Sequence, residues 1–244
     1  MKKGFTLVEL IIVIVIFAIV SGIGVNIIYN VFYGYSDTKV KTLLYNEINF
    51  TIERMDKELH NAVPNSIRTE NNLLQYLLFS KSFFYERAGS NAINVYDNLS
   101  NLNLEGKKIA IYILSYSDIF TSNYNSQKLY TIRSITKNSN SWTLTFDKAI
   151  LEDSPYNRCY LVDTPVTIYQ YEDKLTRCFG YEIDNSNGED SGTCNIMTNF
   201  VDNVSFQYFP GTIKRDGILK IALTLKKNDV TLKYKHEVHF RNVP

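Results

Sequence analysis

The first candidate for chemistry is a charge in an apolar place. Between Phe5 and Ser36 the chain carries one charged side chain, Glu9. A carboxylate inside a spanning helix costs about 2.5–3.5 kcal/mol, and such groups usually have a partner. Three cysteines, Cys159, Cys178 and Cys194, fall within 36 residues and could form a disulfide or bind a metal. Clustered cysteines in an exported domain favour the disulfide. Two histidines stand three apart in His236-Glu237-Val238-His239. A zinc protease needs two His at i and i+4 on a helix. Here the pair lies in a strand pattern, which sends the two rings to opposite faces.

The remaining candidates are weaker. The acidic stretch from Asp184 to Thr193 is rich in oxygen ligands, but the calcium pattern D-x-[DN]-x-[DN]-G meets Glu189 where it needs glycine. A solvated turn is the simpler reading. Lys226, Lys227, Lys233 and Lys235 form a basic edge, a usual device against edge-to-edge aggregation. No G-x-S-x-G, P-loop or dinucleotide fingerprint is present. The residues therefore suggest no enzyme, and no cofactor or metal is expected. Net charge is +1, from 26 basic and 25 acidic residues. That balance gives no electrostatic case for nucleic acid.

Glu9 must be positioned by the element around it. Leu7 to Val20 is otherwise apolar, and apolar character continues to Tyr35 past Gly22, Gly24 and Asn26. About 20 such residues span a membrane, and Lys2 and Lys3 would stay on the cytoplasmic side. A secretory signal peptide would need a shorter core and a small-residue cut site after it. A plain signal anchor would leave Glu9 unexplained. Beyond Asp37 the apolar positions are Val40, Leu44, Ile48, Ile52, Met55, Leu59 and Val63. Their spacing of three and four is one face of a helix, and Pro64 disfavours helix at Val63. That face can pack on the protein's own sheet or on neighbouring helices, and both are expected on different turns. The glycines make a continuous helix doubtful.

From Asn65 the period changes to two. Strands are expected near 74–79, 92–96, 108–116, 130–135, 142–146, 159–162, 166–171, 175–179 and 204–208, and most clearly over 219–225 and 230–240. The fold class is α+β: a long N-terminal helix packed on a β-rich head of antiparallel sheets. The expected divisions are 1–4 ahead of the helix, 5–63 as the helix, with about 5–35 in the membrane, and 64–244 as the head. From the Glu172-Asp173 turn, Cys178 should face about residue 167. Cys178–Cys194 is the favoured disulfide, since it would clip the acidic loop and contribute roughly 3 kcal/mol by loop closure. Cys159–Cys178 is the alternative.

Gly4-Phe5-Thr6-Leu7-Val8-Glu9-Leu10 resembles the prepilin processing motif of type IV pilins and type II secretion pseudopilins. The resemblance implies cleavage between Gly4 and Phe5 by a membrane prepilin peptidase and N-methylation of Phe5. It also implies that Glu9 meets the new amino terminus of a neighbouring subunit. Ser154-Pro155, Arg158 to Thr167, Leu175-Thr176-Arg177 and the ending His236 to Pro244 are similar to one minor-pilin branch. That branch holds the W-type minor pilins, the J-type pseudopilin and the O-type minor pilin of the MSHA pilus, to which the chain looks most similar. It implies a structural minor pilin that initiates or caps a fibre. The alternative is a J-type pseudopilin, and an adhesive or DNA-uptake tip is a weaker one. The implied partners are major and minor pilins, the prepilin peptidase and an inner-membrane assembly platform. The implied location is the bacterial inner membrane with a periplasmic head, then the fibre tip. O-type members carry a cysteine near the position of Tyr171 and another after Asn203-Val204-Ser205, where this chain has none, so their disulfide does not carry over.

Overall fold

The computed structural model describes residues 6–70, 72–100, 102–183, 188–211 and 215–240. Among them one α-helix, α1 (Leu7–Leu59), precedes twelve strands. The helix runs unbroken through Gly22, Gly24 and Gly34. A glycine costs a helix only about 1 kcal/mol relative to alanine. Two of the three are braced: Asn26 Nδ2 donates to the Gly22 carbonyl at 3.1 Å, and Thr38 Oγ1 to that of Gly34 at 2.8 Å. At 53 residues α1 is about 80 Å long. Its end is set by pairing as well as by Pro64. Val63 N–H donates to the Leu77 carbonyl, and Phe79 N–H to that of Asn61, so residues 61–63 leave the helix to bridge a strand.

The strands are β1 (Arg68–Glu70), β2 (Leu73–Gly89), β3 (Ala92–Val95), β4 (Lys108–Ile111), β5 (Leu129–Lys137), β6 (Trp142–Phe146), β7 (Arg158–Tyr171), β8 (Lys174–Phe179), β9 (Thr193–Asn199), β10 (Val201–Phe209), β11 (Gly217–Lys227) and β12 (Val230–Phe240). All their pairings are antiparallel. Nine strands form one sheet in the order β1-β2-β3-β6-β5-β4-β7-β8-β9, and β2 also pairs with β7. That extra pairing closes the circuit β2-β3-β6-β5-β4-β7 into a small barrel. Its interior is apolar, with Phe83, Ile93, Ile109, Tyr130, Leu144 and Cys159 all buried.

The other half of the head faces α1. The first parts of β2 and β8 and the second part of β7 present Leu74, Tyr76, Val166, Ile168 and Leu175 to the helix. The separate sheet β10-β11-β12 adds Val204, Phe206, Leu219, Ile221, Leu223 and Leu225 to the same core. Leu44, Ile48, Ile52, Met55 and Leu59 fill the space between. The whole apolar face of residues 44–59 is therefore spent inside the molecule, and no turn of it is left for a neighbour. Phe200, at φ 66°, turns β9 into β10 and joins the two sheets.

Residues 159–162 and 166–171 belong to one strand, β7. Asp163 and Thr164 bulge out of its pairing with β2, where Leu77 faces Pro165 and Phe79 faces Val162. Proline at a bulge loses no ladder bond. The strand pattern near 108–116 stops at Ile111, because Tyr112 takes φ 52° and breaks the pairing.

Candidate functional site

The helix has two halves with different surroundings. Every residue from Leu7 to Tyr35 is exposed except Gly24, which is half-buried. This half is long and apolar enough to cross a membrane. From Val40 onward one face is covered by the head. The opposite face keeps apolar side chains in the open: Phe50 is 63% exposed, and Leu43, seven residues earlier and so on the same side, is 37% exposed.

At the free end, Thr6 is the N-cap of α1 and forms a capping box with Glu9. Thr6 Oγ1 accepts from the Glu9 N–H at 3.3 Å. The Glu9 carboxylate accepts from the Thr6 N–H at 3.0 Å and from its hydroxyl at 2.9 Å. Two orphan donors of the helix start are satisfied this way. Within one chain Glu9 is thus partnered by its own backbone, and any ammonium from a neighbour must compete with these bonds. Gly4 and Phe5 lie outside the described residues.

At the docked end, polar groups pin helix to head. Arg177 Nε donates to Glu58 Oε2 at 2.8 Å, Tyr76 donates its hydroxyl to the same oxygen at 3.0 Å, and Arg54 Nε donates to Glu58 Oε1 at 3.1 Å. The Arg177 side chain is only 8% exposed. Burial, and then the Glu58 charge, push the Tyr76 phenol well up, so it stays a donor. Thr198 also donates to Glu47 at 2.9 Å, and beside the Glu58 cluster His236 Nε2 meets Asp56 Oδ1 at 3.1 Å. β1 gives no such contact, while β2, β8, β9 and β12 each supply one side chain to the pins.

The cysteines sort themselves by register. Cys178 and Cys194 face each other across β8 and β9, with their sulfurs bonded. Thr167 lies opposite Cys178 on the other side. Cys159 is free and buried in the barrel, where its neighbours across the strands are Phe83 and Ile111. Burial pushes its thiol far above the usual range.

The described end of the acidic loop, residues 188–193, packs on the head. The Tyr181 hydroxyl accepts from Gln75 Nε2 at 3.1 Å and shares a 2.7 Å bond with Thr167, and Tyr169 donates to Asp190. Gly188, at φ 70°, presses on the Tyr181 ring so closely that a Cβ would come within 2.4 Å of it. Residues 184–187, the first four positions of the calcium-like pattern, lie outside the described residues. Among the described residues no cluster of three metal-ligating side chains occurs.

Other singled-out residues have structural positions. The buried Ser154 accepts through Oγ from the Tyr156 and Arg158 N–H groups and donates its own N–H to Tyr85. Arg158 stacks its guanidinium on the exposed Phe84 ring. His236 points to the helix side of its sheet and His239 to the open side, so the two rings share no site. Lys233 and Lys235 lie exposed on β12, a free edge of the three-stranded sheet.

An exposed apolar half-helix long enough to cross a membrane thus leads into a head of antiparallel sheets. Residues 1–25 match the prokaryotic N-terminal methylation motif, which is typical of type IV pilins and pseudopilins. No curated protein and no solved structure matches the chain. The motif supports a type IV pilin or pseudopilin in general, a structural protein anchored in a membrane, processed by prepilin peptidase and partnered by pilins.

Proposed function

We propose that this chain is a minor pilin that assembles with other minor pilins to initiate or cap a type IV fibre of the MSHA kind. The observation that carries the reading is the division of α1: an exposed apolar half bearing the methylation motif, and a half whose apolar face is already used by the head. The free half inserts in the bacterial inner membrane, with the head in the periplasm. Cleavage falls between Gly4 and Phe5, and Phe5 is N-methylated. Glu9 then exchanges its Thr6 bonds for the new N-terminal ammonium of a neighbour. The ammonium brings a full positive charge where the Thr6 donors are neutral, and this added Coulomb attraction favours the exchange. The exposed stripe through Leu43 and Phe50 extends helix packing beyond the membrane.

The barrel beyond the helix end enlarges the head, which suits a tip or priming position better than a repeating shaft. A J-type pseudopilin would use the same helix and the same Glu9. Deleting the gene separates the two systems when surface pili and secreted proteins are both scored. Loss of pili with normal secretion is expected. Intact pili with exoproteins retained in the cell would assign the chain to a secretion pseudopilus instead.

A further inference from the structure

We propose that the end of the head where α1 emerges is a membrane-surface contact, seated in the phospholipid headgroup layer by the β11–β12 turn. The inference rests on reading the apolar half of α1 as a membrane span. Leu7 to Ser36 is 30 residues, about 45 Å of helix. A bilayer with its headgroups is about 40–45 Å thick. When Leu7 enters one face, Ser36 therefore reaches the headgroups of the other. Tyr29, Phe32, Tyr33 and Tyr35 are all exposed in the last two turns before that level, where aromatic side chains mark a membrane interface.

The head comes down to the same level. Asn228, Asp229 and Val230 of the β11–β12 turn close a crevice of about 90 Å³ against Tyr33, Asp37 and Val40. The β7–β8 turn lies at this end too: the Val201 N–H donates to the Asp173 carbonyl, and the Lys226 N–H to that of Phe200. A chain anchored through α1 cannot lift this end away without bending a continuous helix. The charges fit one kind of surface. Residues 171–174 and 226–229 carry Lys174, Lys226 and Lys227 against Glu172, Asp173 and Asp229, three of each sign. An anionic surface would call for a basic excess. A balanced set matches zwitterionic headgroups, where each ammonium lies beside a phosphate.

The test uses the full chain in phosphatidylcholine vesicles, with a fluorophore on Asn228→Cys, on Ser139→Cys in the β5–β6 turn of the barrel, or on Gly22→Cys in the span. Cys159 is buried and Cys178–Cys194 is bonded, so the new thiol takes the label. A lipid with a nitroxide on its headgroup should quench position 228 several-fold more than position 139. Replacing part of the lipid with an anionic one should leave that ratio unchanged. Equal weak quenching at 228 and 139, with Gly22→Cys quenched by an acyl-chain nitroxide, would overturn the contact and leave the span reading intact. No acyl-chain quenching at position 22 would remove the span reading and the inference with it. Quenching at 228 that grows with anionic lipid and fades with salt would refute the zwitterionic match. Protection of 228 that rises with protein density would assign the surface to a second copy and so contradict the proposal.

Discussion

Arg177 joins the head to α1 far from the methylation motif. It is buried against Glu58, 119 residues away in sequence, and Tyr76 and Arg54 share the same carboxylate. Removing one member of a buried pair costs about 3–5 kcal/mol because the other is left uncompensated. Arg54 still bonds Glu58, so Arg177→Ala should fall near the lower end, about 3 kcal/mol, in denaturant unfolding of the detergent-solubilised chain. A loss within error of zero would show that the pin is ornamental. The cysteines give a second check. Native protein treated with iodoacetamide at mildly alkaline pH should leave Cys159 unmodified, because its thiol is buried and its proton is held. Non-reducing peptide maps should link Cys178 to Cys194, and a map with Cys178 alkylated would refute that pairing. Some of this was legible. Glu9 stood out because nothing near it was charged. Arg177 appeared only inside a short similarity, since no local pattern announces a partner on a helix so far upstream.

The helix is the element that divides anchoring from docking. Its two faces predict opposite outcomes for two apolar substitutions. Met55 is fully buried under the head, and Met→Ala in a core costs about 2–5 kcal/mol. Met55→Ala should therefore lower the unfolding midpoint of the head. Phe50 points to solvent, so Phe50→Ala should leave that midpoint within about 0.5 kcal/mol yet reduce recovery of the chain with partner pilins after detergent extraction. If Phe50→Ala co-purified with partners as well as wild type, the exposed stripe would have no part in assembly. The period of three and four over 40–63 located the buried face, but the sequence could not say that the head takes all of it. Among strands, the alternating pairs 219–225 and 230–240 were the plainest because one side of each is buried and the other wet. β9 went unread: Thr193-Cys194-Asn195-Ile196 is exposed on both faces at the sheet edge, which erases alternation. The second half of β2 was missed because Lys81 and Arg87 fall in phase with buried Phe83 and Tyr85.

At the scale of the molecule, the head is a helix-backed sheet with a barrel built onto its far end. The circuit that closes the barrel depends on one long pairing, β2 with β7, each strand serving both units. Strand lengths in the sequence showed neither the sharing nor the closure, because closure is a long-range choice of partner. The part most open to reading was the first thirty-odd residues, where composition alone defines a span. The claim that unites the account is that this span assembles through Glu9. The direct measurement is the amount of Glu9→Ala chain in sheared fibres, with wild-type partner pilins present and cleavage checked by the mass of the N-terminus. The account predicts normal processing, near-normal membrane insertion and incorporation reduced at least tenfold, which corresponds to the loss of about 1.4 kcal/mol of assembly free energy. Wild-type incorporation of the correctly processed variant would contradict it.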